Sequence, residues 1–505
     1  MKKTQKSGLQ NVLDTIHVPL WLVIVLAITF ILRIPSFFEP FSYGDEMIYL
    51  TLGEGIRRGL TLYRDIHDNK PPLLYFMAAV AGNVFWFRAI LAAWTTATTV
   101  IFWKLTRVLK PKNDLFQKVS TAIFAILTTI PLLEGQVSNA ELFMIGPTIL
   151  AIYLLLSKKP GVITIFLSGI LFSIATLFKV PAAFDLGVVI FIWLFSLKPS
   201  TKSVSKFILK VSILLLGFLL PILITLLWYY LKGALHEYLV AAFLQNVGYL
   251  SSWRPDDVQK PFLVKNAPLL TRAAIVTFGA SILIWFRKKL SAPYALAVIW
   301  LLTSLFAITL SERPYPHYLI QAVPAISILV GFLVAAKNRE QSLAVIPLFL
   351  LAVVPVYYNF WYYPSLPYYQ RFFDFATHKI SREEYFNRFD GNVNRNYKVA
   401  RFIVSTSKPN DNVFVWGDSS PIYALSRHLP PTKYVANYHI SDFSSQEEIL
   451  NMLIENKPVL IVILSESPDF PQMVSFLNSN YTQIANIDGT QIWKLINPLV
   501  LNLIR

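Results

Sequence analysis

The chain of 505 residues is 55% hydrophobic and 14% aromatic, with mean hydropathy +0.51, and its apolar stretches repeatedly reach the ~20 residues that cross hydrocarbon, which excludes an ordinary soluble domain. Its net charge of +16 sits in short basic segments between apolar runs, as loops obeying the positive-inside rule do, so nucleic acid is not an expected partner. Cysteine is absent, which excludes disulfides, thiolate metal sites and cysteine nucleophiles.

In chain order, Lys2, Lys3 and Lys6 precede a first apolar run that lacks a small-residue cleavage site, so it reads as an anchor with a cytoplasmic N-terminus. Helix-length windows give about eleven spans, near 17–37, 88–109, 117–133, 140–157, 161–178, 183–198, 207–231, 267–286, 291–310, 316–336 and 343–363. Alternation then puts every strongly basic loop inside: Lys104 to Lys112, Lys158 and Lys159, Lys198 to Lys210, Arg287 to Lys289, and Lys337 with Arg339. The outer face receives 38–87, the turn from Glu134 to Glu141, Lys179-Val180-Pro181, 232–266, 311–318 and everything after about 363. A multi-pass cell-membrane protein with an extracytoplasmic C-terminal domain is expected.

The outer loops gather the acidic and mixed-charge residues. The first holds Tyr43-Gly44-Asp45-Glu46, Arg57-Arg58, Tyr63-Arg64-Asp65 and Asp68-Asn69-Lys70-Pro71-Pro72. Two adjacent carboxylates are costly beside a bilayer, so a functional site is the default explanation. Apolar residues at helical spacing over Glu46 to Gly59 and Leu73 to Phe85 predict two helices lying in the interface. After the aromatic stretch Tyr357 to Tyr369, short apolar runs at 413–416, 459–464 and 491–496 alternate with helices near 395–406, 420–427, 445–455 and 470–479. This predicts a small α/β domain with a largely parallel sheet. The domain boundaries are thus 1–363, with the motif-bearing loop 38–87, and 364–505.

Asp45-Glu46 opening the first external loop, Lys70-Pro71-Pro72, Arg88 starting the next span, Glu141 heading a span, Lys179 in an external turn, and Arg313 with His317-Tyr318 before a Pro324-containing span together form a pattern. Over about the first 340 residues the chain resembles polyprenyl-phosphate-dependent glycosyltransferases of the GT-C fold, in particular the protein O-mannosyltransferase and aminoarabinose-transferase group. The resemblance implies a polytopic helical GT-C-like fold. It also implies transfer of a sugar from a polyprenyl-phosphate donor to a protein, lipid or glycan acceptor, with membrane lipids around the chain.

By resemblance and position, Asp45 is the candidate general base, which can contribute about 10²- to 10⁴-fold, and Glu46 orients its neighbours or the sugar. Asp45 also suits a helix N-cap, the lesser reading. Lys70, Lys179, Arg313, His317 and Tyr318 are candidates for the donor phosphate, whose developing charge needs fixed cations. A lysine between Phe178 and Val180 must find a partner or snorkel to the headgroups. Asp68, Glu141 and Asn139 suit sugar hydroxyls, or serve as caps and loop charges. Arg57, Arg58 and Arg64 are expected to pair with nearby carboxylates or lipid headgroups. No cofactor is called for; a divalent cation stays open, because His317 without a second spaced ligand is a weak metal signal. The segment with Gln245-Asn246 and Trp253 to Asp257 is offered for acceptor choice. The rival class is a lipid-linked-sugar transporter or flippase, although its polar groups would be expected nearer the bilayer midplane, in two similar halves.

Overall fold

A computed structural model describes residues 18–157, 159–198, 200–245, 261–311 and 313–496. The N-terminal lysines, Lys158 and Trp253 to Asp257 lie outside the described residues. Eight of the described helices are long and apolar enough to cross a membrane: Leu20–Phe38, Val84–Leu109, Ala140–Ser157, Thr201–Leu231, Ala267–Trp285, Ala292–Thr309, Pro316–Ala335 and Arg339–Tyr357. Each overlies an expected span. The other three expected spans fall on shorter helices, Asp114–Leu127, Val162–Phe178 and Val180–Phe195. Thr128 and Pro131 stop the first of these, since the residues before a proline avoid the helical region. The chain is a multi-pass membrane protein by the length and number of its apolar helices.

Packing divides the chain into two compact units that do not follow chain order. One comprises Met1–Ser36, Arg88–Thr225 and Asn246–Ser365; the other comprises Phe37–Phe87, Leu226–Gln245 and Leu366–Arg505. The loop 38–87, assigned from the sequence to the span-bearing part, packs with the C-terminal residues.

The first unit is a bundle of the apolar helices. Where Val162–Phe178 meets Thr201–Leu231 two glycines allow backbone contact: a Cβ on Gly217 would lie 2.1 Å from the Phe166 carbonyl oxygen, and one on Gly169 2.2 Å from that of Leu214. Small residues at a crossing are how helices associate where lipid removes the hydrophobic incentive. Buried arginines close helix ends: Arg33 donates to the Thr128 carbonyl at 2.7 Å, and Arg88 to that of Ser36 at 2.6 Å. Arg88 thus ties the start of Val84–Leu109 to the end of the first apolar helix.

The second unit is built on a four-stranded sheet, β1 (Val413–Trp416), β2 (Leu460–Ile463), β3 (Tyr481–Ile487) and β4 (Thr490–Leu495), in the order β1-β2-β4-β3. Only β1 and β2 pair in parallel; β4 is antiparallel to both its neighbours. The sheet is mixed, not largely parallel, because β3 and β4 form a hairpin. Its turn places Asp488 at φ 49° and Gly489 at φ 83°, the left-handed pair that a two-residue hairpin needs. The edge of β1 is covered, with Val413 N–H donating to the Leu429 carbonyl and Val415 N–H to the Tyr423 hydroxyl. Phe414, Trp416, Ile461, Ile449, Leu453, Met473 and Tyr481 make the core on one face of this sheet.

The motif-bearing loop belongs to this unit. Its helices are Gly44–Arg57 and Leu73–Ala81, the second ended by Gly82 at φ 71°. They touch where Gly53 lacks a side chain, since a Cβ there would lie 2.6 Å from the Ala79 nitrogen. Residues Glu46 to Gly53 are all buried. The helix Gly44–Arg57 is therefore enclosed by protein over about two turns.

Candidate functional site

The expected site residues fall into two clusters, one in each unit. In the second unit Asp45 lies in the first turn of Gly44–Arg57, behind Tyr43 at the N-cap, whose side chain makes no cap bond. The N-cap reading of Asp45 is thus corrected: it is the second residue of the helix, within the first turn, where negative charge is favoured by the helix dipole. Its Oδ2 accepts the Tyr49 hydroxyl at 2.8 Å and faces Lys70 Nζ at 3.6 Å. Glu46, its neighbour, is fully buried.

Lys70 is held from several sides. Its carbonyl accepts the Tyr63 hydroxyl at 2.8 Å, its N–H donates to the Tyr75 hydroxyl at 3.2 Å, and its Nζ lies 5.0 Å from the Tyr49 ring centroid. Tyr63 reaches this carbonyl from a left-handed backbone, φ 76°, uncommon for a non-glycine residue and retained where surroundings fix it. Here the Tyr229 and Tyr238 rings pack on it.

Lys70 Nζ is also 3.9 Å from Asp68 Oδ2, and Asp68 Oδ1 is 3.4 Å from His439 Nε2. Asp68 and His439 are both buried. Burial opposes ionisation of Asp68, but the Lys70 charge and the His439 contact outweigh it and hold the carboxyl far below the usual carboxylate range. His67, packed among Tyr434, Phe443 and His439, is pushed down to about 4: burial is the main cause, and His439 and Lys433 add to it while Asp68 opposes. Arg57 and Arg58 pair with Glu54, and Arg64 with Asp65, as expected.

In the first unit the turn from Glu134 to Glu141, the break at Lys179 and the segment before Pro324 converge. Glu141 stands in the first turn of Ala140–Ser157 and makes an ion pair with Lys179, which sits extended between Val162–Phe178 and the 3₁₀ turn Val180–Asp185. Lys179 Nζ lies 3.7 Å from the Tyr318 ring centroid. His317 Nε2 is 3.9 Å from the same Glu141 oxygen, and His317 Nδ1 contacts Glu134. Glu134 is fully buried on a left-handed backbone, φ 57°. Asn139 is buried one residue before the helix, its N–H donating to the Val137 carbonyl. Arg313 is half-buried, its backbone N–H on the Ser311 hydroxyl.

Thus Lys179, His317, Tyr318 and Glu141 come together, as do Asp45, Lys70 and Asp68. Sequence reasoning missed Glu134, His439 and Tyr63. Glu134 had a signal, an acidic residue in an outer turn that also carries Glu141. His439 had none, since no spacing links it to Asp68. Among the described residues no three His, Asp or Glu side chains group to hold a metal ion.

Searching solved structures, the chain is similar to ArnT from Cupriavidus metallidurans bound to undecaprenyl phosphate, with TM-score 0.57 and 14% identity over 95% of this chain and 98% of that one. It is similar also to ArnT of the same organism in the apo state, with TM-score 0.52 and 13% identity over 94% and 97% of the two chains. The chain has a GT-C-like fold. At such identities the likeness carries the fold and its full extent. Residues 393–495, 103 of 505, match the family "Putative competence-induced protein Ccs4 C-terminal domain". No curated protein sequence matches significantly.

Proposed function

We propose that this chain is an integral-membrane glycosyltransferase that moves a hexosyl or pentosyl group from a polyprenyl-phosphate donor to an acceptor hydroxyl outside the cytoplasm. The observation that carries the reading is the Asp45–Lys70 pair, a carboxylate and an ammonium 3.6 Å apart on the motif loop. The fold shared with ArnT, whose structure holds undecaprenyl phosphate, supports it. In this reading the N-terminus is cytoplasmic, the residues after about 363 are extracytoplasmic, and the acceptor is a protein, lipid or glycan.

The reaction is a single displacement. Asp45 takes the acceptor hydroxyl proton as that oxygen attacks the anomeric carbon; the bond from carbon to phosphate oxygen breaks, and the phosphate leaves with the electron pair. The anomeric centre inverts, since a covalent route would need a second carboxylate placed as nucleophile. A hydroxyl is a weak nucleophile at neutral pH, so the base carries much of the rate. Lys70 offers a fixed positive charge to the leaving phosphate, and Glu46 orients the groups around Asp45. In the first unit Lys179, Arg313, His317 and Tyr318 are a second candidate set for the donor phosphate, with Lys179 exchanging part of its contact with Glu141 for it. Glu141 and Asn139 are candidates for sugar hydroxyls, as Asp68 is in the second unit. No metal is assigned a role.

The test uses the purified protein in bilayer discs with a panel of radiolabelled polyprenyl-phosphate sugars, following release of the lipid phosphate. Release from one donor supports the reading and names the sugar. Specific binding without release from any donor, with or without cell-envelope acceptors, would move the assignment to a lipid-linked-sugar transporter.

A further inference from the structure

The C-terminal domain touches the motif loop at its most chemically charged point. Ser420 Oγ donates to the Gly44 carbonyl at 3.0 Å, directly before Asp45, and the backbone N–H of His67 donates to the Lys433 carbonyl at 2.8 Å. Between these ties His439, on the short helix Asn437–Phe443, places Nε2 3.4 Å from Asp68 Oδ1. The helix is fixed in turn, because Tyr438 N–H donates to Asp418 Oδ1 at 2.9 Å in the loop after β1. Among the described residues the buried His439 Nδ1 has no hydrogen-bond partner.

An unpaired buried N–H is expensive, whereas an unpaired ring nitrogen lone pair leaves no donor unmatched. That selects the tautomer with the proton on Nε2, aimed at Asp68. Asp68 is then shared by three donors, the Asn69 N–H at 2.7 Å and the His439 imidazole at 3.4 Å on Oδ1, and the Lys70 ammonium 3.9 Å from Oδ2. Lys70 in turn is shared by two carboxylates, being 3.6 Å from Asp45.

We infer that His439 of the C-terminal domain is a positioning residue for Lys70, acting through Asp68. Added to the Asn69 N–H on the same oxygen, the imidazole withdraws further charge from Asp68 and keeps that carboxylate from drawing Lys70 away from Asp45 and from the phosphate that Lys70 is proposed to meet. The domain that follows the spans is then part of the catalytic apparatus, and removing it disables Lys70. The turnover and phosphate arms of the test rest on the transferase reading; the tautomer arm does not.

Three variants of the full chain in bilayer discs are compared with wild type: His439→Phe, His439→Gln, and His439→Phe combined with Asp68→Asn. The readouts are binding of a polyprenyl phosphate, KM and kcat for the donor, and the melting temperature. His439→Phe is expected to weaken phosphate binding and raise KM about ten- to a hundredfold, the worth of a hydrogen bond to a charged group, with kcat changed less than about threefold. His439→Gln, which keeps an N–H for Asp68, restores most of this. In the Asp68→Asn background the Phe substitution adds less than about threefold, because the competing charge is gone. Equal loss in the Phe and Gln variants, or no loss in Phe, would overturn the inference, the first by showing packing alone. Independently, nitrogen NMR of labelled histidine, assigned with the Gln variant, should show His439 protonated on Nε2 only; a proton on Nδ1 overturns the inference even in an active enzyme. A wild type that binds the lipid phosphate but never turns over would sink the transferase reading while leaving the binding and tautomer results interpretable.

Discussion

Replacing Lys179 by alanine should destabilise the first unit, and the size follows from how little of the pair is wet. The Lys179 side chain is 16% exposed and that of Glu141 3%, so the ion pair is buried. Removing one partner of a buried pair leaves an uncompensated charge and costs about 3–5 kcal/mol. Loss of the ammonium from the Tyr318 ring adds about 1 kcal/mol. His317 Nε2, 3.9 Å from the same Glu141 oxygen, offsets part of the loss, which puts the expected total near the lower figure, about 3 kcal/mol. Glu141→Gln should cost a similar amount by stranding Lys179. The double variant Lys179→Ala with Glu141→Gln removes both charges and should recover to within about 1–2 kcal/mol of wild type, a strong positive coupling. The assay is reversible unfolding of the purified protein in mixed micelles, read by far-ultraviolet circular dichroism. A double variant no more stable than Lys179→Ala, or a Lys179→Ala variant within about 0.5 kcal/mol of wild type, would refute the buried-pair argument and return Lys179 to a headgroup anchor.

Gly217→Ala should separate the helices Val162–Phe178 and Thr201–Leu231, because the new Cβ meets the Phe166 carbonyl at 2.1 Å and backbone cannot step aside cheaply. A loss of about 1–3 kcal/mol in the same unfolding assay is expected, and an unchanged protein would mean that the crossing is not close packed. His67, whose folded pKa is lowered to about 4 from 6.5, makes the second unit acid-sensitive: above pH 6.5 it has no effect, and as pH falls toward 4 the unfolded chain binds a proton that the folded one does not. The stability lost by pH 4 is of the order of 3 kcal/mol, and His67→Gln should flatten the melting temperature between pH 6.5 and 4; identical slopes in the two proteins would contradict the burial argument.

The span-bearing part was legible because long apolar runs with basic loops leave few choices, and each long apolar helix overlies an expected span. The strand runs at Val413–Trp416 and Leu460–Ile463 were equally plain, being continuous apolar segments buried in the sheet. β3 was not, since Tyr481–Ile487 is polar and exposed over much of its length; the Asp488-Gly489 turn was the available sign of a hairpin. The motif loop was found from its charges; chain order puts it between spans, while packing groups its buried helix Gly44–Arg57 with residues 366–505. Within the site, Lys70 and Asp45 were marked by their charge in an apolar chain. Glu134 and His439 acquire meaning only through residues 183 and 371 positions away, His317 and Asp68, a relation no local pattern encodes.

The central claim is that Asp45 takes the proton in transfer and is not needed for holding the donor. Wild type and Asp45→Asn, both in bilayer discs with the donor that the panel selects, should be compared for equilibrium donor binding and single-turnover release of lipid phosphate. The account predicts donor affinity within about threefold and release slowed by about 10²- to 10⁴-fold in the variant. Release at the wild-type rate from Asp45→Asn, with binding intact, would contradict it.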